Sequence, residues 1–158
     1  MSAPGSPVPK GGSASDRGPI QHVVFLVEST RYALPLAAVR EIVVHPEALV
    51  RVPRAPPPVL GVVNLRGRVV TVIDFSLLLE LPPPSSPHRK LILLDRGRRD
   101  LALSVTEVEG IETVEKVSTQ ARESRAPVRG VTRVKGAAVT VLDADALDVA
   151  VTHLFDHG

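Results

Sequence analysis

Two aspartates at equivalent places in two similar sequence stretches are the first candidates for chemistry. Asp74 and Asp143 each end a Val-rich run, and two carboxylates brought together by such a repeat could share one proton, as in aspartic proteases. Those enzymes need a small hydroxyl residue and a Gly after each Asp, whereas Phe75-Ser76 and Ala144-Asp145 follow here. Each aspartate also precedes a helical pattern whose free backbone N–H groups can donate to its carboxylate. Helix capping is therefore the expected role, and no catalytic residue is predicted.

No other set of residues in the sequence assembles a catalytic or metal-binding centre. The absence of Cys excludes thiol catalysis, cysteine-ligated zinc and iron–sulfur clusters. His153 and His157 have the spacing of metal ligands, but they stand at the end of the sequence, where fraying disfavours a rigid site. The stretch from Gly61 to Gly67 lacks the Lys-Ser/Thr of a phosphate-binding loop. The residues favour a non-enzymatic binding module with no metal and no cofactor.

Composition excludes further classes of protein. The chain has 158 residues, 44% of them hydrophobic, and a net charge of +2 with acidic and basic residues interspersed, so nucleic-acid binding is not expected. No apolar run approaches the roughly 20 residues of a membrane span, and residues 1–19 lack the hydrophobic stretch of a secretory signal. Together with the absence of Cys, these features predict a cytoplasmic protein.

The elements that must position any site are short strands. Apolar runs of four to six residues, rich in Val and bounded by Gly, Pro or charges, predict buried β-strands, as at residues 69–73 and 91–94. Helical patterns follow only Asp74 and Asp143, giving one short helix and a longer one from Ala144 toward Phe155. The sequence therefore predicts an all-β fold with few helices.

Two stretches divide the chain. Residues 1–19 are rich in Pro, Gly and Ser and are predicted to form a disordered tail. The run Pro82-Pro83-Pro84 excludes a helix interior and a central strand. It separates residues 20–81 from residues 88–158.

An internal repeat relates these two parts. Residues 58–78 and 127–147 are identical at 10 of 21 positions, with an offset of 69 residues. In each copy a Gly, Gly67 or Gly136, stands between strand-like runs, which predicts a tight turn with positive φ. A weaker match between residues 34–42 and 101–108 requires a gap of one residue. Two copies of one β unit in a single pseudo-symmetric body is the economical interpretation.

The same stretch carries a resemblance to a known family. Gly61-Val62-x-Asn64-Leu65-Arg66-Gly67, followed by a Val/Ile run that ends in Asp74, resembles the signature of CheW-like coupling proteins of bacterial chemosensory systems. The resemblance extends over about residues 22–150. It implies two intertwined five-stranded SH3-like barrels with strands exchanged between them. On this basis residues 20–158 form one CheW-like domain, with a first barrel mainly in 20–81 and a second mainly in 88–150.

The resemblance also implies a function and a site. Members of this family are non-enzymatic adaptors that bind the cytoplasmic tips of methyl-accepting chemoreceptors and couple them to a CheA-type histidine kinase, at receptor arrays. The positions that match the receptor-binding groove are Val39, Glu41 and Ile42, with Asn64, Leu65 and Arg66 nearby. Two alternatives remain open, namely that Val39 and Ile42 are core residues and that Arg66 braces its loop.

Two departures from the family pattern concern the second half of the chain. Val105-Thr106-Glu107-Val108 stands where the family has Val-Asp-x-Val, and the segment from Ile111 to Gly130 is short and strongly charged, with Arg122, Glu123 and Arg125 in it. In this family the second half supplies a kinase-contacting surface, and interface centres favour apolar anchors over Lys and Glu. The alternative function is therefore an accessory CheW-like protein that binds receptors and binds a kinase weakly or not at all.

Overall fold

The computed structural model describes residues 19–95, 100–119 and 127–156. Apart from Pro19, the predicted disordered tail lies outside these ranges, as do Arg122, Glu123, Arg125 and His157. Over the described residues the chain forms ten strands and two α-helices, with one 3-10 turn at Leu36–Ala38. In chain order these are β1 (Ile20–Val27), β2 (Thr30–Pro35), β3 (Val39–Val44), β4 (Val59–Leu65), β5 (Arg68–Asp74), α1 (Phe75–Leu78), β6 (Lys90–Leu94), β7 (Leu101–Val105), β8 (Glu107–Val114), β9 (Val128–Val134), β10 (Ala137–Leu142) and α2 (Ala144–Asp156).

The strands form two five-stranded sheets, each of which takes strands from both sides of the proline run. The strand order is β8-β1-β2-β10-β9 in one sheet, named barrel A, and β3-β6-β7-β5-β4 in the other, named barrel B. β1 and β2 thus pair with strands of the second half, while β6 and β7 pair with strands of the first. The predicted intertwined all-β architecture is confirmed.

The strands appear in the sequence as continuous apolar runs because both of their faces are buried. On β6, Leu91 and Leu93 face a cluster inside barrel B, whereas Ile92 and Leu94 belong to a larger cluster that takes residues from both sheets. On β2, Ala33 faces a cluster inside barrel A, and Tyr32 and Leu34 join the shared one. Since successive side chains point to opposite faces, a strand buried on both faces carries no polar positions in its centre.

Both aspartates cap helices, as the sequence predicts. The Asp74 carboxylate accepts a hydrogen bond from the Leu77 backbone N–H at 3.1 Å, and the Asp143 carboxylate accepts one from Ala146 at 3.0 Å. Helix α2 buries Leu147 and Val151 against the shared cluster, with Leu154 and Phe155 packed beside them. The helix is therefore amphipathic and seals the core between the sheets.

The two halves are related throughout by one offset of 69 residues. The parallel pairs Tyr32–Thr140 and Leu101–Thr71 make Tyr32 the equivalent of Leu101. The pairs Phe25–Val108 and Val39–Leu94 make Val39 the equivalent of Val108. The gapped match of residues 34–42 with 101–108 is therefore wrong, because its Leu-x-Leu pattern aligned strands two residues out of step.

Candidate partner-binding site

The family-like motif forms the hairpin between β4 and β5. Leu65 lies opposite Arg68, so the turn has two residues, Arg66 with φ +52° and Gly67 with φ +87°. Positive φ at both central residues is the type I′ pattern that fits the twist of a hairpin. Asn64 Oδ1 accepts a hydrogen bond from the Gly67 backbone N–H at 2.8 Å. Asn, Arg and Gly together therefore hold an exposed turn that projects the guanidinium.

The projected guanidinium closes barrel B. Arg66 Nη2 pairs with Glu41 Oε1 on β3, and β3 and β4 are the two edge strands of this sheet. A bulge at Arg40 sets the direction of the next residue, so Glu41 lies opposite Leu93, on the side of the barrel interior. Arg40 and Arg68 both pair with Asp100, at 3.3 Å and 2.7 Å. Alternating charges thus surround the mouth of the barrel.

The six residues matched to the receptor groove do not share one face. Glu41, Asn64 and Arg66 come together at the barrel mouth with their polar atoms exposed or half-buried. Val39 and Ile42 are half-buried and pack against the core shared by both sheets, and Leu65 packs against the interior of barrel B. The structure therefore brings the polar members together and places the three apolar ones in two cores.

Apolar surface beside this turn comes from a residue that the sequence analysis did not select for the site. Val69 lies opposite Asn64 on the hairpin and is 60% exposed. The run that contains Val69 is predicted as a buried strand because Val is common in cores. The register of the strand pairing shows which Val of this run faces solvent.

Barrel A repeats the closure in another chemical form. Lys135 and Gly136, at φ +51° and +83°, form the turn between β9 and β10. Lys135 Nζ lies 3.1 Å from Glu112 Oε2 on the edge strand β8, and Arg31 pairs with Glu109 at 2.7 Å. Sequence reasoning placed the turn but missed the ion pairs, because partners far apart in sequence carry no spacing signal.

The mouth of barrel A also contains a pocket of about 270 Å³, lined by Val24, Val134, Ala137 and Val139 with the two ion pairs around it. The equivalent residues in barrel B are larger, since Leu93, Leu65 and Arg68 stand where Val24, Val134 and Ala137 stand here.

Among the described residues, no cluster of three potential metal ligands occurs. No helix in the described ranges is long and apolar enough to cross a membrane.

Thr106 stands where the family pattern has an Asp, and the Thr106 hydroxyl makes a local hydrogen bond in its place. Thr106 Oγ1 accepts a hydrogen bond from the Glu28 backbone N–H at 2.9 Å. The Glu28 carboxylate in turn accepts hydrogen bonds from Ser85 and Ser86, and these bonds lower its pKa. Glu107 pairs with Lys90, which lowers the pKa of the Glu107 carboxyl. The proline-rich connection is therefore fastened to the turn between β1 and β2.

The half-buried His88 and the buried His22 both have a lowered pKa. Burial lowers the pKa of His88, whose Nδ1 lies 2.8 Å from Ser104 Oγ, against the opposing effect of the nearby Asp74 carboxylate. Burial also lowers the pKa of His22, which is 2% exposed. Neither imidazole is among the six residues matched to the receptor groove.

Comparison with known proteins agrees with this geometry. The family model described as CheW-like domain matches residues 21–150. The chain is 30% identical over 132 residues to the chemotaxis protein CheW of Rhizobium meliloti, covering 79% of this chain and 84% of that protein. It is 24% identical over 132 residues to the chemotaxis protein CheW of Bacillus subtilis, with the same coverage of 79% and 84%.

A solved structure gives the same fold. The crystal structure of the scaffolding protein TtCheW from Thermoanaerobacter tengcongensis superposes with a TM-score of 0.70 at 20% identity, over 79% of this chain and 89% of that one. The resemblance found in the sequence is thus confirmed by a family model that covers most of the chain. From the repeat, the exchanged barrels and these matches together, it follows that this chain belongs to the CheW-like family.

Proposed function

We propose that this protein is a non-enzymatic adaptor of a bacterial chemosensory pathway, which binds chemoreceptor signalling tips and couples them to a CheA-type histidine kinase. The observation that carries the proposal is the match of residues 21–150 to the CheW-like domain. Its relatives are named chemotaxis proteins, and the structural neighbour is named a scaffolding protein. Helix capping by Asp74 and Asp143 supports a role without catalysis at these carboxylates.

The receptor surface is proposed to lie around the β4–β5 turn. Arg66 and Glu41 supply paired charge, Asn64 is exposed beside them, and Val69 adds exposed apolar area. Val39 and Ile42 lie behind this surface and shape it through β3. A receptor helix that offers apolar side chains flanked by charges would meet both kinds of group.

The test is binding of a purified receptor tip fragment to the full chain by calorimetry, with Val69→Asp as the variant. The exposed valine makes no core contact, so the fold should persist while receptor affinity falls by about tenfold, the effect of losing one apolar anchor. Ile111→Asp on barrel A is the matched control, because Ile111 is also exposed, at 52%. Equal loss in both variants, or in neither, would reject this placement of the receptor surface.

One observation favours the accessory alternative. Of the large apolar side chains exposed within the described ranges, Val44, Val50, Val52 and Val69 lie on barrel B or its loops, whereas Ile111 lies on a strand of barrel A and Val149 on helix α2, which follows β10. An interface needs apolar anchors, so barrel A is the poorer surface for a kinase. Reconstitution of receptor, kinase and this protein separates the two functions: micromolar kinase binding with receptor control of autophosphorylation supports the coupling role, and receptor binding alone supports the accessory one.

A further inference from the structure

The interiors of the two barrels differ although their strands are equivalent. Barrel B encloses Leu91, Val43, Leu60 and Val63 in an apolar cluster. The offset of 69 residues places His22, Glu112, Arg129 and Thr132 at the same four positions in barrel A. The apolar cluster that remains inside barrel A has four buried residues, Val24, Ala33, Val139 and Val141. Barrel A therefore has the smaller and more polar core.

His22 is the most buried of these replacements. It lies on β1 with 2% of its surface exposed, and its Nδ1 lies 2.9 Å from the Ile20 carbonyl oxygen. A carbonyl only accepts, so Nδ1 carries the proton and donates it, which leaves Nε2 as the unprotonated nitrogen. Nε2 makes no hydrogen bond to the described part of the protein. A second proton on the ring would therefore place an unpartnered charge in the core.

The charged groups around His22 do not offer that proton a partner. Glu112 lies directly opposite on β8, but its carboxylate is paired with Lys135. On the other side β2 places Pro35 opposite, which has no charge. From β9, Arg129 acts on the imidazole as a like charge and opposes protonation. Burying a charge without a partner is strongly unfavourable, so the folded barrel disfavours the second proton.

We propose that His22 makes barrel A the acid-sensitive half of the molecule, in which protonation of this one buried imidazole loosens β1 from β8 while barrel B stays closed. The proposal adds a conformational response to the fold and does not depend on the adaptor function. Leu91, the equivalent residue in barrel B, cannot take a proton, so this position responds to acid in barrel A alone.

The direction of the effect follows from proton linkage. Burial lowers the pKa of His22 in the folded barrel, so the opened barrel binds the proton more tightly. The contribution of neutral His22 to the stability of barrel A is complete above the unperturbed histidine pKa, about 6.5, and is lost as the pH falls below that value. Over that window one proton can raise the opening equilibrium by up to about tenfold per pH unit.

His88 is the other histidine that must be separated from this effect. It precedes β6 of barrel B, where Asp74, Glu28, His45 and Ser104 surround it. Burial lowers its pKa as well, so acid destabilises both regions to some extent. The two contributions are distinguished by where exchange increases, because β1 and β8 belong to barrel A and β6 and β7 to barrel B.

The test is hydrogen–deuterium exchange of the full chain at pH 7.0 and 5.5, corrected for the intrinsic pH dependence of exchange. We expect the opening equilibrium of the amides in β1 and β8 to rise by up to about tenfold at the lower pH, with a smaller change in β6 and β7. His22→Leu, which installs the residue found in barrel B, should abolish this increase and fold normally. His153→Gln, at an exposed position of α2, is the control that should leave it unchanged.

Two results would overturn the proposal. An acid-induced increase in β1 and β8 that persists in His22→Leu would assign the effect to another group. Equal increases in both barrels of the wild type would remove the asymmetry. Because His22→Leu replaces a polar core residue with one of similar size, its fold is checked at pH 7.0, where its exchange in β6 and β7 must match the wild type.

Discussion

At the scale of single residues, Glu41 and Arg66 close barrel B through their ion pair, and we propose that they also meet a partner. The Arg66 side chain is 67% exposed, so the pair contributes less than about 1 kcal/mol to stability after screening by solvent. A pair of such small energetic value at the tip of a hairpin is better placed to recognise a partner than to hold the fold. The Asn64–Gly67 hydrogen bond, which is independent of the charge, keeps the turn in place.

We predict that Glu41→Lys lowers affinity for a receptor tip by about tenfold, because it reverses a charge at the mouth and sets two cations against each other. The exchanged variant Glu41→Arg with Arg66→Glu should recover thermal stability without recovering affinity. Calorimetric binding and thermal unfolding of the same samples measure the two roles. Receptor affinity that is unchanged in Glu41→Lys would reject Glu41 as a contact.

The two glycines of the β4–β5 motif both have positive φ, and Gly61 is in addition in close contact with a neighbouring segment. At Gly67 a Cβ would meet no atom within 4 Å, so alanine suffers only from the positive φ. At Gly61 a Cβ would stand 2.5 Å from the Val50 carbonyl oxygen, which is backbone and cannot move aside. We predict that Gly67→Ala costs about 1 kcal/mol and Gly61→Ala about 3 kcal/mol, measured by urea unfolding. Equal costs would mean that the close approach of residue 50 to β4 relaxes freely.

The sequence motif was sufficient to predict the turn, since Asn, Arg and Gly at these spacings leave few other conformations. It could not predict that Val39 and Ile42 lie behind the mouth and not in it. The bulge at Arg40 fixes which way Glu41 and Ile42 point, and a bulge depends on pairing with β6, some 50 residues away in the sequence.

At the scale of elements, the caps explain why the two α-helices of the described ranges follow β5 and β10. Asp74 is the last residue of β5 and Asp143 directly follows β10, and each carboxylate accepts a hydrogen bond from the backbone N–H of the third residue beyond it. We predict that Asp143→Ala lowers the free energy of unfolding by about 1 kcal/mol, whereas Asp143→Asn, which can still accept, changes it little. Urea unfolding measures both. An equal loss in the two variants would show that charge and not capping is the main contribution.

The sequence was sufficient to predict the repeat, but it predicted only part of the register between the two copies. Ten identities fixed the offset between the β4–β5 and β9–β10 hairpins, but the earlier strands had diverged too far to align without the structure. Tyr32-Ala33-Leu34 and Leu101-Ala102-Leu103 share a pattern of burial and only two identities. Pairing to β10 and β5 supplies the register that identity does not.

At the scale of the whole molecule, the exchange of β1–β2 against β6–β7 makes each half depend on the other. The first half contains β3, β4 and β5 of barrel B, but lacks the central strands β6 and β7 that join them. Its β1–β2 hairpin pairs with β8 and β10 of the second half. The core shared by both sheets likewise takes Phe25, Tyr32 and Phe75 from the first half and Leu103, Leu142 and Leu147 from the second. Neither half can close a sheet or bury its apolar face alone.

We therefore predict that fragments 19–81 and 87–156, prepared separately, lack cooperative thermal unfolding as monomers and form a folded 1:1 complex when mixed. Each fragment lacks strands of both sheets, so as a monomer it would expose the apolar faces that those strands cover. The exchanged hairpins give each fragment a partner only in the other, as in a domain swap within one chain. Circular dichroism with analytical ultracentrifugation follows both states. Cooperative unfolding of either fragment as a monomer would mean that its strands can re-pair locally, and the exchange would then be a packing preference and not a requirement of the fold.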